Sequence, residues 1–174
     1  MGKDGLEGII PPTISPRLDN AVEQMIQLVQ ANPAKITLVA LGPLTNIAQA
    51  ITKAPRIMKM VKEIIIMGGA IQIPGNQNRV AEFNMFVDPE AADIVFKSSI
   101  KKVLVPLDIC NKVTLSLTDF KKVQDPVLQK FLLKMITPYI NSLEKNEGIK
   151  AAVMYDPLTI YYLINPKVMQ TYRC

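Results

Sequence analysis

Short apolar runs alternate with stretches of helical periodicity along this chain, which predicts an α/β fold: a mostly parallel, doubly wound, Rossmann-like sheet with flanking helices. Three observations carry that prediction. The runs at 36–41, 63–67 and 102–107 are short and rich in Ile, Val and Leu, the composition of strands covered on both faces. The segments between them place apolar residues three and four apart. Gly-Pro, Gly-Gly and Asp-Pro pairs stand at the junctions, where a chain must turn or a helix must start.

In chain order, residues 1–16 carry Gly2, Gly5, Gly8, Pro11, Pro12 and Pro16 and are expected to form a loop. Leu18, Ala21, Met25, Leu28 and Val29 then recur at helical spacing up to Asn32-Pro33, where proline forbids continuation. After the strand at 36–41, Gly42-Pro43 turns the chain, and Leu44, Ile47 and Ile51 give the next helix its apolar stripe. A further helical piece at 56–61 precedes the strand at 63–67. A polar loop at 68–84 follows. Asp88 then suits a helix cap and Pro89 a first helical position, with Ala91, Ile94 and Val95 facing inward. Beyond the strand at 102–107, residues 126–143 are helical in period, with Pro138 expected to kink or break them. Asp156-Pro157 repeats the capping signal before a helix at 158–164.

With 174 residues, 49% of them hydrophobic and 20% charged, the chain is expected to form a single α/β domain over 1–174. No run approaches the length of a membrane span, and Met1 is followed by GKDGLEG where a signal peptide would be basic and then apolar. A cytoplasmic protein with no membrane partner is the expectation. The formal charge of +5 comes from dispersed lysines, and aromatics are 6%, so the basic face with interleaved rings that nucleic acid needs is missing. Cys110 and Cys174 have neither metal spacing nor disulfide density, and both are expected as free thiols.

The densest chemistry is in 64–92, IIIMGGAIQIPGNQNRVAEFNMFVDPEAA. Ligands of covered parallel sheets sit beyond the strands' carboxyl ends, so the loop after Met67 is the place for a site. Asn76, Glu82 and Asn84 offer amides and a carboxylate to sugar hydroxyls, and Met67 and Phe83 offer apolar faces to a ring. That set fits a nucleoside better than a phosphate. Taken alone, Met67 and Phe83 would more often be core residues than ligand contacts, Asp108 a turn residue or one that supports a ligand-binding neighbour from behind, Asp88 a cap and Asp4 a loop-shaping residue.

These residues stand in blocks that resemble the inosine-uridine-preferring nucleoside hydrolase family: Gly2-Lys-Asp-Gly-Leu6, Val39-Ala-Leu-Gly-Pro-Leu-Thr-Asn46, Met67-Gly-Gly69, Ala81-Glu-Phe-Asn84, Asp88-Pro-Glu-Ala91, Pro106-Leu-Asp108 and Tyr155-Asp-Pro-Leu158. The resemblance implies hydrolysis of the N-glycosidic bond of ribonucleosides to ribose and free base by a calcium-bound water in the complete parent. It assigns Asp156 and the Leu41 backbone oxygen to calcium, and Asp156 also to the substrate. Asn76 and Glu82 fall to the ribose 5′-hydroxyl side, Asn84 to the ring diol, and Met67 and Phe83 to sugar and base packing. Tyr155 stands where many members have the histidine that protonates the leaving base, and its phenol, titrating near pH 10, is a weaker acid. A homo-oligomer is expected from the family's habit and from open sheet edges.

The same resemblance shows what is missing. The 174 residues hold no DxDxxxDD stretch, which supplies the family's other calcium ligands and its general base, and no histidine. Met1 aligns well inside the family's domain, and Asn165-Pro166 precedes further family elements, so the chain is expected to be a middle-to-C-terminal portion, truncated relative to the full fold. The alternative to an enzyme is a non-catalytic ribose- or nucleoside-binding remnant, or a structural fragment, lacking the metal site.

Overall fold

The computed structural model describes residues 20–172, excepting the side chain of Glu147. The expected loop at 1–16, Asp4, the first helical residues from Leu18 and Cys174 lie outside the described residues. The elements run α1 (Ala21–Ala31), β1 (Thr37–Ala40), α2 (Thr45–Lys53), α3 (Pro55–Met58), β2 (Glu63–Met67), α4 (Phe83–Val87), α5 (Pro89–Lys97), β3 (Lys102–Val105), α6 (Leu107–Cys110), β4 (Thr114–Leu115), α7 (Leu117–Phe120), α8 (Pro126–Glu147), β5 (Ala152–Val153) and α9 (Asp156–Ile164), then a 3-10 turn at Pro166–Val168. The described residues divide into two compact units, one holding 20–110 with 155–172 and the other holding 111–154.

In the larger unit, β1, β2 and β3 form a parallel sheet in that order, with Ala40 opposite Ile66 and Met67 opposite Val105. Consecutive parallel strands need a crossover, and here each crossover is helical, as the alternation predicts. Four of the five residues of β2 are buried, Ile64, Ile65, Ile66 and Met67, which suits a central strand covered on both faces. Ile64 and Ile66 enter the main core with Val22, Ile26 and Val29 of α1, Ile47 and Ala50 of α2, and Ala91 and Val95 of α5. Strand alternation turns Ile65 and Met67 the other way. Helix α9 packs against β2, burying Leu158 and Thr159. Burying a Leu, Ile or Val side chain is worth about 1.5–3 kcal/mol, so this two-sided cover is the main stabilising contribution.

Caps set most helix starts. The Asn20 Oδ1 accepts from the amides of Val22 at 3.0 Å and Glu23 at 3.2 Å. The Asp88 carboxylate accepts from the Ala91 amide at 3.0 Å and from the Thr45 hydroxyl of α2, so one side chain both starts α5 and ties it to α2. Strand β3 stops at Val105, shorter than the 102–107 expected, because Pro106 has no amide hydrogen to continue the ladder. The polar loop also ends early. Its last residues, Phe83 and Asn84, begin α4, whose N-cap is Glu82.

In the smaller unit β4 and β5 pair antiparallel, Thr114 with Val153 and Leu115 with Ala152. Two-residue strands carry too little periodicity to be read from sequence, and the four-residue helices α6 and α7 share that fate. Helix α8 runs through Pro138 to Glu147, with Gly148 as its C-cap, so of the kink or break expected at the proline the break does not occur. Its start is held by Asp125, which accepts from Val127 at 2.8 Å and Leu128 at 2.9 Å. Ahead of the proline, the Thr137 hydroxyl donates to the Leu133 carbonyl at 2.6 Å, binding side chain to backbone where the proline removes a helical donor.

Candidate functional site

The carboxyl ends of β1 and β2 lie side by side, since Ala40 pairs with Ile66. Leu41 follows the first and Gly68 the second, which brings both predicted strand-end residues, Leu41 and Met67, to the same edge. Here β2 does not end cleanly. The Gly68 amide donates to the Val105 carbonyl at 3.2 Å, and the Leu107 amide donates to the Gly69 carbonyl at 2.9 Å. Gly69 needs the left-handed region, at φ +80°, which only glycine adopts freely.

The loop then folds on itself. The amides of Gln77 and Asn78 donate to the Ala81 carbonyl at 3.2 and 3.4 Å, and a Cβ on Gly75 would overlap the Ala81 backbone. Glu82 closes the ring. Its carboxylate, 2% exposed, accepts from Asn84 at 2.9 Å on Oε1, and on Oε2 from Gly69 at 3.0 Å and Met85 at 3.2 Å. It therefore caps α4 and anchors the loop's entry together, because backbone donors to an ionised carboxylate make strong, short bonds.

Asn76 and Asn84 each have one end of the amide engaged. The Asn76 Oδ1 accepts from the Phe83 amide at 2.9 Å, leaving its NH2 as donor. The Asn84 Nδ2 donates to the Met67 carbonyl at 3.1 Å and contacts its sulfur at 3.4 Å, leaving Oδ1 as acceptor. Met67 is buried beneath Asn84, whereas Phe83 is 51% exposed. A cleft of about 420 Å³ beside the loop is lined by Gly69, Ala70, Val80, Glu82, Phe86 and Phe96 among others.

Asp156 is the first residue of α9, and Tyr155 occupies the N-cap position without a side-chain cap bond. Asp156 is the acidic residue of the first turn of α9, where a carboxylate also suits the helix dipole. Burial first, and the Glu82 charge second, hold the Asp156 carboxyl above its ordinary range. Burial, then the Asp156 charge, push the Cys110 thiol up to about 12. That shift carried no signal in the sequence, since an isolated Cys next to an apolar run reads as core.

Calcium takes six to eight oxygen ligands. Among the described residues no group of three or more His, Cys, Asp and Glu side chains stands together to hold a metal ion, and Glu82 has both oxygens on backbone amides. The named donors, the Leu41 carbonyl and the Asp156 carboxylate, do not amount to a calcium shell. Asp108, expected as a turn residue, reaches back to the loop: it accepts from Ile71 at 2.9 Å and Gln72 at 2.7 Å.

The family model described as inosine-uridine preferring nucleoside hydrolase matches residues 1–174. A pyrimidine-specific ribonucleoside hydrolase RihA of Citrobacter koseri is 35% identical over 98% of this chain and 56% of its own length. An inosine-uridine preferring nucleoside hydrolase of Leishmania major is 38% identical over 99% of this chain and 56% of its own. Among solved structures, a plant nucleoside hydrolase superposes with TM-score 0.90 at 36% identity, over 97% of this chain and 54% of that one. A purine-preferring ribonucleoside hydrolase from Gardnerella vaginalis gives 0.89 at 31%, over 97% and 55%. The chain thus spans about half the length of the relatives it matches.

Proposed function

Since the chain belongs to the inosine-uridine preferring nucleoside hydrolase family, we propose that it carries the ribose-recognising half of a ribonucleoside hydrolase site. What supports this reading is the arrangement after β2, where Glu82 takes the Gly69, Asn84 and Met85 amides and Asn76 and Asn84 each keep one end of the amide unspent, with the Glu82 charge among the causes that raise Asp156. The substrate class is a ribonucleoside. Asn76 would donate to a hydroxyl on the 5′ side and Asn84 would accept from the ring diol. Glu82 has one Oε1 lone pair beyond its bond to Asn84 with which to take a hydroxyl proton. Phe83 would lie against the sugar or base, and Met67 would support that face from beneath.

Calcium is the cation this reading would add, with the Leu41 carbonyl and Asp156 as its donors here. Those two donors do not fit a full shell, so no chemical step is derived through the ion. What the chain's own residues do is bind and orient. Only interactions stronger in the transition state speed a reaction. Tyr155 is the residue nearest in sequence to Asp156 that could give a hydrogen bond to a departing base. Nucleoside binding without cleavage is the second reading, favoured by the shortage of metal donors among the described residues. A cytoplasmic, self-associating protein completes the proposal, and no described helix is long and apolar enough to cross a membrane.

Ribose release from inosine and uridine in excess calcium, compared between this chain and Asp156→Ala, is the test. The expected result is weak or undetectable release with retained ribose binding. Robust calcium-dependent turnover lost in Asp156→Ala would mean that the missing ligands are supplied, by a neighbouring copy for example. Absence of both turnover and ribose binding would overturn the proposed function.

A further inference from the structure

The loop at 68–82 is pinned by Glu82, which takes the Gly69 amide at its entry and the Asn84 and Met85 amides at its exit, and by Asn76, and the residues just past Gly69 have a hold of their own. Ile71 and Gln72 are beyond the last strand pairing, and their amides point out of any regular element. Both are taken by one side chain. The Ile71 amide donates to Asp108 Oδ2 at 2.9 Å and the Gln72 amide to Oδ1 at 2.7 Å. Asp108 sits in α6, directly after β3, where the Leu107 amide also binds the Gly69 carbonyl at 2.9 Å. A rigid strand end thereby reaches across to the start of a loop whose middle carries Asn76.

We propose that Asp108 is a positioning residue for the ligand site: its carboxylate fixes the loop entry so that the Asn76 side chain meets both the Phe83 amide and a sugar hydroxyl. Nothing in the geometry puts Asp108 on the ligand itself. The chemistry suits the task. An ionised carboxylate taking two consecutive amides makes two charge-assisted bonds of fixed direction, and a site held loosely by its supporting groups loses affinity even when every contact residue is present. The inference rests on the proposed ribose site for its consequence, but not for the coupling between loop entry and Asn76.

Amide exchange on the full 174-residue chain, with Asp108→Asn and Asp108→Ala beside the unmodified protein, separates the two. In Asp108→Ala the amides of Ile71 and Gln72 should exchange about tenfold faster or more, since each loses a bond to a charged acceptor. The Phe83 amide, bound by Asn76, should quicken with them, while Ile64, Ile65 and Ile66 of β2 stay slow. D-ribose titrated by NMR should bind about tenfold more weakly in the same variant. Asp108→Asn, which keeps one acceptor oxygen, should fall between. It carries the test if β2 also opens in Asp108→Ala. Unchanged exchange at Phe83 while Ile71 and Gln72 quicken would overturn the proposal, as would unchanged ribose affinity. If the unmodified chain binds no ribose, the ribose site fails, and the Phe83 amide alone decides whether Asp108 positions Asn76.

Discussion

Burial is the first cause that raises both Asp156 and Cys110 above their ordinary values, and each yields a measurement. The Asp156 carboxyl is held above its ordinary 3.8 by burial and then by Glu82. Folding therefore makes Asp156 bind its proton more tightly than the unfolded chain does, so this residue costs nothing below about its unfolded value. Its contribution turns unfavourable as pH rises towards the folded value. Asp156→Asn should flatten that part of the stability curve and leave the variant at least as stable as the parent near neutral pH. A thermal melt series between pH 3 and 7 checks it, and a variant less stable at pH 7 but equal at low pH contradicts it. Cys110 is pushed up to about 12 from 9.0 by burial, then by Asp156. The thiolate is the reactive form, so iodoacetamide at pH 8 should leave Cys110 unmodified in the native protein and label it after unfolding. Rapid native labelling of Cys110, located by peptide mass, would show that the thiol is accessible.

Among the elements, α8 stands out because it spends a proline in its interior. It spans Pro126–Glu147 with Pro138 in its middle, which removes the donor to the Lys134 carbonyl and sets a ring against the preceding turn. Pro138→Ala restores the donor, at the loss of the stiffening proline gives the unfolded chain, about 0.4–1 kcal/mol. Proline's interior penalty is about 3 kcal/mol, so a net gain of about 2 kcal/mol should appear as a higher denaturation midpoint by circular dichroism. A fall in that midpoint would mean that the neighbours of Pro138 depend on the proline.

For the whole molecule the parallel sheet is the controlling feature. Among the described residues β1 and β3 each pair with β2 alone, so each has an outer row of backbone donors and acceptors with no strand beside it. Such edges recruit other chains. Self-association is the expected outcome, and light scattering across a concentration series reads it. A clean monomer at high concentration would show the edges to be blocked.

Much of the fold was legible in the sequence because its signals are local. The central strand at 63–67 shows itself by an unbroken apolar run, and α5 by Asp88-Pro89, whose cap the structure completes with the Ala91 amide. The short α4 and α6 lie below the length at which periodicity speaks, and α8 ignored its proline because a long helix can lose one bond and keep the rest. Around the site, residue types alone named Asn76, Glu82, Asn84 and Phe83 as a sugar-facing set, and motif resemblance added Leu41 and Asp156. Which end of each amide is spent, that Glu82 gives both oxygens to backbone, that Asp108 ties Ile71 and Gln72, and that Cys110 is fully buried were decided by tertiary structure. Composition and spacing record what a residue can do. Only the fold decides which atoms come within a hydrogen bond of one another and how much water remains around a charge.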